Sequence, residues 1–149
     1  MPRIDPDSPD VPTRDGTGYP GDYAIPCRAR SYKRLGQAGG LVDFGVNLVT
    51  VPPGSWSSQR HAHVEDDEFV MMVEGELVLI EDAGRTLLRA GDYAAFPKGT
   101  GDGHHLVNES AAPARFVAIG ANKGAGTYPD IDLIFLVGGA YAHKDGTPY

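Results

Sequence analysis

The chain has 149 residues, of which 41% are hydrophobic and 22% are charged. These proportions are ordinary for a globular protein of one domain, and they exclude wholesale disorder. The formal net charge of −7, with no lysine- or arginine-rich stripe, argues against a nucleic acid partner. No apolar run approaches the roughly 20 residues of a membrane-spanning helix, and the N-terminal residues MPRIDPDSPD lack the apolar stretch of a secretory signal. We therefore expect a cytoplasmic protein without a membrane partner.

The N-terminal segment, residues 1–26, differs in composition from the rest of the chain. It holds six of the twelve prolines and five aspartates, with few aliphatic residues. Such a segment cannot bury enough apolar surface to order itself alone, and its prolines exclude a regular helix. We predict an irregular arm, either free or packed on a partner subunit, followed by one domain over residues 27–149. Cys27 is the only cysteine, which excludes an intrachain disulfide.

From Leu41 onward, short β-rich runs alternate with turn-forming residues such as Pro52-Pro53-Gly54 and Asp82-Ala83-Gly84. No stretch in this region keeps the apolar spacing of three and four that an ordinary helix requires. The pattern predicts an all-β domain, either a sandwich or a barrel. The predicted strands are LVDFGVNLVTV, EFVMMVEGELVLIE, TLLRAGDYAAFP, HHLVN, ARFVAIG and IDLIFLVGG.

Four of the five histidines form two close pairs, His61 with His63 and His104 with His105. Residues two apart in a strand point to the same face, so His61 and His63 can place both imidazoles on one side of a sheet. Histidine nitrogen with carboxylate oxygen, and without thiolate, suits Fe(II), Mn(II), Ni(II), Zn(II) or Co(II). The pairs therefore indicate a site for one divalent metal ion.

An acidic run, residues 65–68, follows the first histidine pair. It predicts a turn, after which the apolar strand from Phe69 returns antiparallel beside the strand of the histidines. Glu68 stands at the entrance of that returning strand and is the candidate carboxylate ligand, with Glu65 as its rival. The two aspartates between them are expected to face water.

Two stretches of the chain resemble the paired motifs of the cupin superfamily. Residues 54–75, GSWSSQRHAHVEDDEFVMMVEG, contain the glycine, the His-x-His, the glutamate and the final glycine, with six residues rather than five before the first histidine. Residues 91–108, GDYAAFPKGTGDGHHLVN, contain the glycine, the Pro-x-Gly, the histidine and the asparagine, with four residues rather than two before the histidine. The spacing of three residues to Asn108 favours His104 over His105 as the motif histidine.

The resemblance implies a double-stranded β-helix, or jelly-roll, barrel, commonly in a homodimer. Its interior would hold one divalent metal ion through His61, His63, Glu68 and His104. The resemblance extends over most of the chain to bacterial cupins, some of which are labelled as sugar-phosphate isomerases. It implies a metal-dependent isomerase or proton-transfer enzyme that acts on a small polar metabolite. An Fe(II)-dependent dioxygenase and a non-catalytic barrel that binds a small molecule are the alternatives.

Three polar residues near the motifs are further candidates for the site. Gln59 shares strand parity with the first histidine pair, so it is either a hydrogen-bonding neighbour inside the barrel or a rim residue. Arg60 and Lys98 are the nearest cations, and both are expected to lie at the surface. Since a phosphate group needs a basic subsite, the lack of an arginine or lysine cluster argues against a phosphorylated substrate.

Overall fold

A computed structural model describes residues 3–121 and 123–149 of the chain. The described residues form strands with two short helices, a 3₁₀ helix (Gly21–Cys27) and α1 (Leu35–Ala38). No helix in these ranges is long and apolar enough to cross a membrane. The strands are β1 (Thr13–Asp15), β2 (Ser31–Arg34), β3 (Gly45–Val51), β4 (Ala62–His63), β5 (Glu68–Glu74), β6 (Glu76–Glu81), β7 (Gly84–Arg89), β8 (Tyr93–Phe96), β9 (His105–Val107), β10 (Ala114–Gly120), β11 (Gly126–Tyr128), β12 (Leu133–Phe135) and β13 (Tyr141–Ala142).

The strands form three antiparallel sheets that make two layers. One layer is a six-stranded sheet in the order β1-β2-β3-β10-β5-β8. The other contains the sheets β7-β6-β9 and β13-β12-β11-β4, and residues 54–61 connect them through bridges from Trp56 to Val107 and from His61 to His104. The all-β jelly-roll fold predicted from the sequence is confirmed, although the sheets do not close into a continuous barrel.

The main core lies between the two layers and follows the period of two that a half-buried strand requires. On β5, Val70 and Met72 are buried, whereas Phe69 and Val73 point outward and are exposed. The neighbouring strands alternate in the same way. The core side chains are those of Val49, Val51, Val70, Met72, Leu77, Leu79, Leu88, Phe96, Leu106, Ala114 and Phe116.

Composition predicted an irregular N-terminal segment, but part of this segment forms regular structure. Strand β1 pairs antiparallel with β2 and forms the edge of the six-stranded sheet. Val11 and Tyr19 are buried, and Tyr19 packs in a second apolar cluster with Cys27, Tyr128 and Leu133. The segment folds against its own chain because these apolar side chains find partners in residues distant in sequence. The boundary between arm and domain at residue 27 stays a prediction.

The hairpin expected after the first histidine pair does not form. Strand β4 pairs with β11, whereas β5 pairs with β10 and β8, so the two strands lie in different sheets. The chain crosses from one layer to the other between them. Ligand residues on β4 and β5 therefore face each other across the space between the layers.

Glu68 lies in a row of the six-stranded sheet that includes two glycines. Its register partners are Gly120 on β10 and Phe96 on β8, and Gly120 in turn pairs with Gly45 on β3. The glycines carry no side chain, so the sheet leaves open space beside the Glu68 carboxylate. This space is part of the cavity described below.

Candidate metal centre

The structure brings His61, His63, Glu68 and His104 together in one cluster. One ligand atom from each residue lies within 4.8 Å of all the others. The Glu68 Oε2 atom is 2.9 Å from His104 Nε2, 3.2 Å from His63 Nε2 and 3.9 Å from His61 Nε2. Three imidazoles and one carboxylate thus converge on a single point, as the motif resemblance implied.

A pair of backbone hydrogen bonds fixes His61 opposite His104. The His61 N–H donates to the His104 carbonyl (3.1 Å), and the His104 N–H donates to the His61 carbonyl (2.9 Å). The previous bond of this ladder runs from the Ser57 N–H to the Leu106 carbonyl. Four residue steps on one side therefore face two on the other, which is a bulge. The bulge lies between Gly54 and His61 and leaves His61 paired with His104.

His63 is positioned by strand β11 and by an aromatic ring. Its register partner is Gly126, and a Cβ at that glycine would overlap the Phe135 ring and come within 2.6 Å of the Ala62 carbonyl. Only glycine fits there, because Phe135 occupies the space. The ring then packs edge-on against His63, with 5.6 Å between the ring centroids.

His104 is positioned by stacking on Phe96. The two rings are parallel, with their centroids 3.6 Å apart. Phe96 is also the register partner of Glu68, so one aromatic residue stands beside both ligands. His104 is buried, and its Nδ1 atom has no hydrogen-bond partner among the described residues. The ring of His104 is therefore oriented by packing.

His61 carries a lone pair directed at the cluster. Its Nδ1–H donates to the Gln59 carbonyl (3.0 Å), and Ser58 Oγ lies 3.2 Å from the same atom. A neutral imidazole with a proton on Nδ1 presents an unprotonated Nε2, which is the form that binds a metal. That Nε2 lies 3.2 Å from His63 Nε2, a distance that favours a cation beside both nitrogens. The donor set and its geometry therefore fit a divalent metal ion.

Burial keeps His61 neutral, and hydrogen bonds keep the Glu68 carboxylate charged. It lowers the pKa of His61 to about 3, against the attraction of the Glu68 carboxylate. Burial alone would raise the pKa of Glu68, but hydrogen bonds with His104 and His63 outweigh it and hold that pKa below its ordinary value. Metal ligands must be in these protonation states. At neutral pH, His61 and Glu68 therefore do not have to lose a proton before they bind a metal ion.

The other candidates named in the sequence lie outside the cluster. His105 points to the other face, with its Nδ1 3.0 Å from the Ser58 carbonyl and its ring against Trp56. Gln59 is buried, but its Nε2 donates to the Tyr23 carbonyl (2.7 Å), so it ties two backbone segments together. Glu65 is exposed and lies outside the cluster.

The expectation that the aspartates of the acidic run face water is wrong for Asp66. This residue is buried, and its Oδ2 accepts hydrogen bonds from the backbone N–H groups of Lys123 (2.9 Å) and Gly124 (2.8 Å). Asp67 is exposed, and its Oδ1 accepts one from the Lys98 N–H (2.9 Å). The two side chains hold neighbouring loops in place, a function that composition cannot reveal.

Arg60 is held inside an ion-pair network and is not available to a substrate. Its guanidinium binds both carboxylate oxygens of Asp130 (2.7 and 2.8 Å), a carboxylate oxygen of Asp82 and the Gly103 carbonyl (3.1 Å). The contact with Gly103 anchors the extended loop of the second motif directly before His104. Arg60 thus stabilises the position of a candidate ligand.

A cavity of about 510 Å³ extends from the cluster along the six-stranded sheet as far as β2. Apart from histidines, its charged lining residues are Glu68, Arg30 and Arg34. The two arginines correct the expectation of no basic cluster, since β2 brings them to the site from a segment well before the first motif. The lining also includes the polar residues Tyr32 and Asn47.

Comparisons with known proteins identify the family. A family model described as Cupin domain matches residues 47–120. A solved structure described as a sugar phosphate isomerase from a cupin superfamily, from Silicibacter pomeroyi, is 45% identical with a TM-score of 0.91 and covers 99% of this chain and 96% of its own. A candidate sugar phosphate isomerase from Acidithiobacillus ferrooxidans is 25% identical with a TM-score of 0.70 and covers 76% of this chain and 74% of its own.

A more distant structure shares the fold alone. It is described as a predicted oxalate decarboxylase from Thermotoga maritima, is 21% identical with a TM-score of 0.54, and covers 62% of this chain and 79% of its own. No curated protein matches the chain. The high identity over nearly the whole length of the Silicibacter pomeroyi protein is sufficient for assignment, and the chain belongs to the cupin superfamily.

Proposed function

We propose that the chain is a metal-dependent enzyme that isomerises a small polar metabolite by proton transfer. The observation that carries the proposal is the convergence of three imidazoles and one carboxylate at the wall of a 510 Å³ cavity. A cavity of this volume is in the range of small-molecule sites. The similarity to a structure described as a sugar phosphate isomerase supports the choice of isomerisation.

His61, His63, Glu68 and His104 would hold the metal ion. When bound there, a divalent ion would supply Lewis-acid chemistry, that is, polarisation of a substrate carbonyl and a more acidic neighbouring carbon. The chain itself supplies groups that orient the substrate and an apolar surface that excludes water from the cavity. Asn47 and Tyr32 line the cavity as hydrogen-bonding groups for hydroxyl oxygens, and the apolar wall that limits water is formed by Val49, Val70, Phe96, Leu106 and Phe116.

Isomerase activity is expected without oxygen. We expect the protein loaded in turn with Fe(II), Mn(II), Ni(II), Zn(II) or Co(II) to interconvert at least one aldose and ketose in a panel of sugars and sugar phosphates under anaerobic conditions. The product is measured by chromatography, and a parallel reaction is followed with an oxygen electrode. The variant Glu68→Gln is the control for contaminating enzymes and is expected to be inactive.

Two outcomes would contradict this function. Iron-dependent oxygen uptake with the same metabolites would indicate a dioxygenase. If a metabolite binds but none of the five metal forms converts it, the protein is a non-catalytic barrel.

We also propose that the chain forms a homodimer through the outer face of the six-stranded sheet. Phe69 and Val73 on β5 and Tyr93 on β8 are exposed on this face, with the rings of Phe69 and Tyr93 6.0 Å apart. A second copy of the chain would remove this apolar surface from water. Sedimentation equilibrium is expected to give a dimer for the unmodified chain and a monomer for Val73→Lys. A monomer at all concentrations of the unmodified chain would contradict the proposal.

A further inference from the structure

Two arginines and one tyrosine point into the cavity from a single strand. Arg30 precedes β2, Tyr32 lies within it and Arg34 ends it, so the three residues have the same parity and share a face. The Tyr32 ring lies between the two guanidinium groups, 5.9 Å from that of Arg30 and 5.8 Å from that of Arg34. These cation–π contacts hold both positive charges on the cavity side of the sheet.

The strand register places Arg34 across the cavity from the metal ligands. Arg34 pairs with Asn47, Asn47 with Ala118, and Ala118 with Val70, which is two residues from Glu68 on the same face. Three strand spacings separate β2 from β5, a distance of about 14 Å between strand axes. Because both side chains point into the same cavity, a small metabolite can reach the metal ligands with one end and Arg34 with the other.

The guanidinium of Arg34 is free to bind an anion. Among the described residues, no carboxylate lies within ion-pair distance of Arg30 or Arg34, although the chain carries a net charge of −7. Arg30 is held by the carbonyls of Gly16 and Ser57. In contrast, the only hydrogen bond of the Arg34 guanidinium among the described residues is a 3.4 Å contact with Gln37 Oε1, which is weak.

We propose that the substrate carries an anionic oxygen group, a phosphate or a carboxylate, and that Arg34 binds this group. The planar guanidinium can donate two parallel hydrogen bonds to such a group, and the fixed charge of Arg30 adds to the attraction. Within the part of the chain that the structure describes, Glu68 is the only carboxylate that lines the cavity, and its charge is directed to the imidazoles. The inference rests on the proposed function, because it places the reacting end of the substrate at the metal ligands.

The test measures anion binding by calorimetry on the full chain, with inorganic phosphate and acetate as probes. We expect the unmodified protein to bind at least one probe, and Arg34→Met to bind it at least about tenfold more weakly, since a hydrogen bond to a charged group contributes on this scale. Arg34→Gln provides a second neutral variant that keeps a polar side chain. Arg28→Met is the matched control, because Arg28 is exposed and does not line the cavity. Its affinity is expected to equal that of the unmodified protein.

Each titration is made with metal-loaded protein and again after removal of the metal with a chelator. Weaker anion binding by Arg34→Met, with and without the metal, supports the anion site at Arg34 even if no isomerase activity is found. The anion site and the isomerase function can therefore fail independently. The probe that binds more tightly indicates whether the group is a phosphate or a carboxylate. No binding of either probe by the unmodified protein, equal affinity in the Arg34 variants, or an equal loss in Arg28→Met would overturn the proposal.

Discussion

Replacing His104 with alanine is expected to abolish the proposed binding of a divalent metal ion to the folded protein. The substitution deletes the nitrogen that lies closest to the Glu68 carboxylate, at 2.9 Å, and it leaves Phe96 without its stacking partner. Loss of a hydrogen-bonding partner of a ligand already weakens metal affinity by about 10- to 100-fold, so loss of the ligand itself is expected to weaken it by at least about 100-fold. Metal content by mass spectrometry and titration of the chelator-treated protein with Zn(II) or Mn(II) measure this loss.

The adjacent residue gives a matched control. His105 is equally buried, but its ring packs on Trp56 on the other face of the strand. His105→Ala is therefore expected to keep one metal ion per chain. In the unmodified protein and in His105→Ala, free metal at 100 times its dissociation constant raises the free energy of unfolding by about 2.7 kcal/mol, and in His104→Ala the same concentration has little effect. Equal metal content in the two variants would contradict the site.

The sequence predicts the local part of this site well. His61 and His63 lie two apart, and alternation of side chains along a strand is a local property that does not depend on the partner strand. The same alternation separates His104 from His105. Glu68 is distinguished from Glu65 by its position at the start of an apolar run, since only that residue belongs to the strand facing the core. Alternation separates the two members of the second pair, but the choice of His104 over His105 comes from the resemblance to the second cupin motif.

Features that depend on strand pairing are not predictable in this way. The chain crosses between the layers after β4, and no property of residues 64–67 distinguishes this crossing from a hairpin turn. The burial of Asp66 depends on backbone N–H groups from residues 123 and 124, which composition cannot bring beside it. Pairing decides both outcomes, and pairing is a property of the whole sheet.

The cavity arginines illustrate the same limit. Strand β2 has the sequence SYKR, which contains no aliphatic residue and therefore gives no strand signal. Arg34 reaches the cavity because β2 pairs with β3 and β3 pairs with β10, which brings it within three strand spacings of Glu68 only after folding. A search for charges close to the motifs in sequence finds Arg60 instead, which carboxylates neutralise.

Asn108, the last residue of the second motif, is expected to be essential for stability. It has no exposed surface, and its side-chain amide donates to the carbonyls of Val51 (2.7 Å) and Ala112 (2.9 Å). Its Oδ1 accepts from the N–H (2.9 Å) and the hydroxyl (2.7 Å) of Ser110. All hydrogen-bonding positions of the carboxamide are thus used. The side chain joins the end of β3 to the loop before β10.

Asn108→Asp keeps the shape of this side chain but replaces the amide donor with an oxygen that faces two carbonyls. We expect the free energy of unfolding to fall by about 4 kcal/mol at neutral pH, because two hydrogen bonds are lost and a charge is buried without a cation. Ser110→Ala, which removes one of the four hydrogen bonds of Asn108 together with the contacts of the Ser110 hydroxyl with the Ala112 backbone, is the control and is expected to cost about 1 kcal/mol. Urea unfolding followed by circular dichroism measures both values.

The loss caused by Asn108→Asp is also expected to depend on pH. Burial raises the pKa of the introduced carboxyl in the folded state above its ordinary value of about 3.9, which applies to the unfolded chain. Below about pH 3.9 both states are protonated, and the variant loses one hydrogen bond, because a neutral carboxyl has one O–H donor where the amide has two N–H donors. As the pH rises, the unfolded state ionises first, so the difference from the unmodified protein grows until the folded carboxyl also ionises. A pH-independent loss no larger than that of Ser110→Ala would show that the amide donors at position 108 do not hold β3 to the loop before β10.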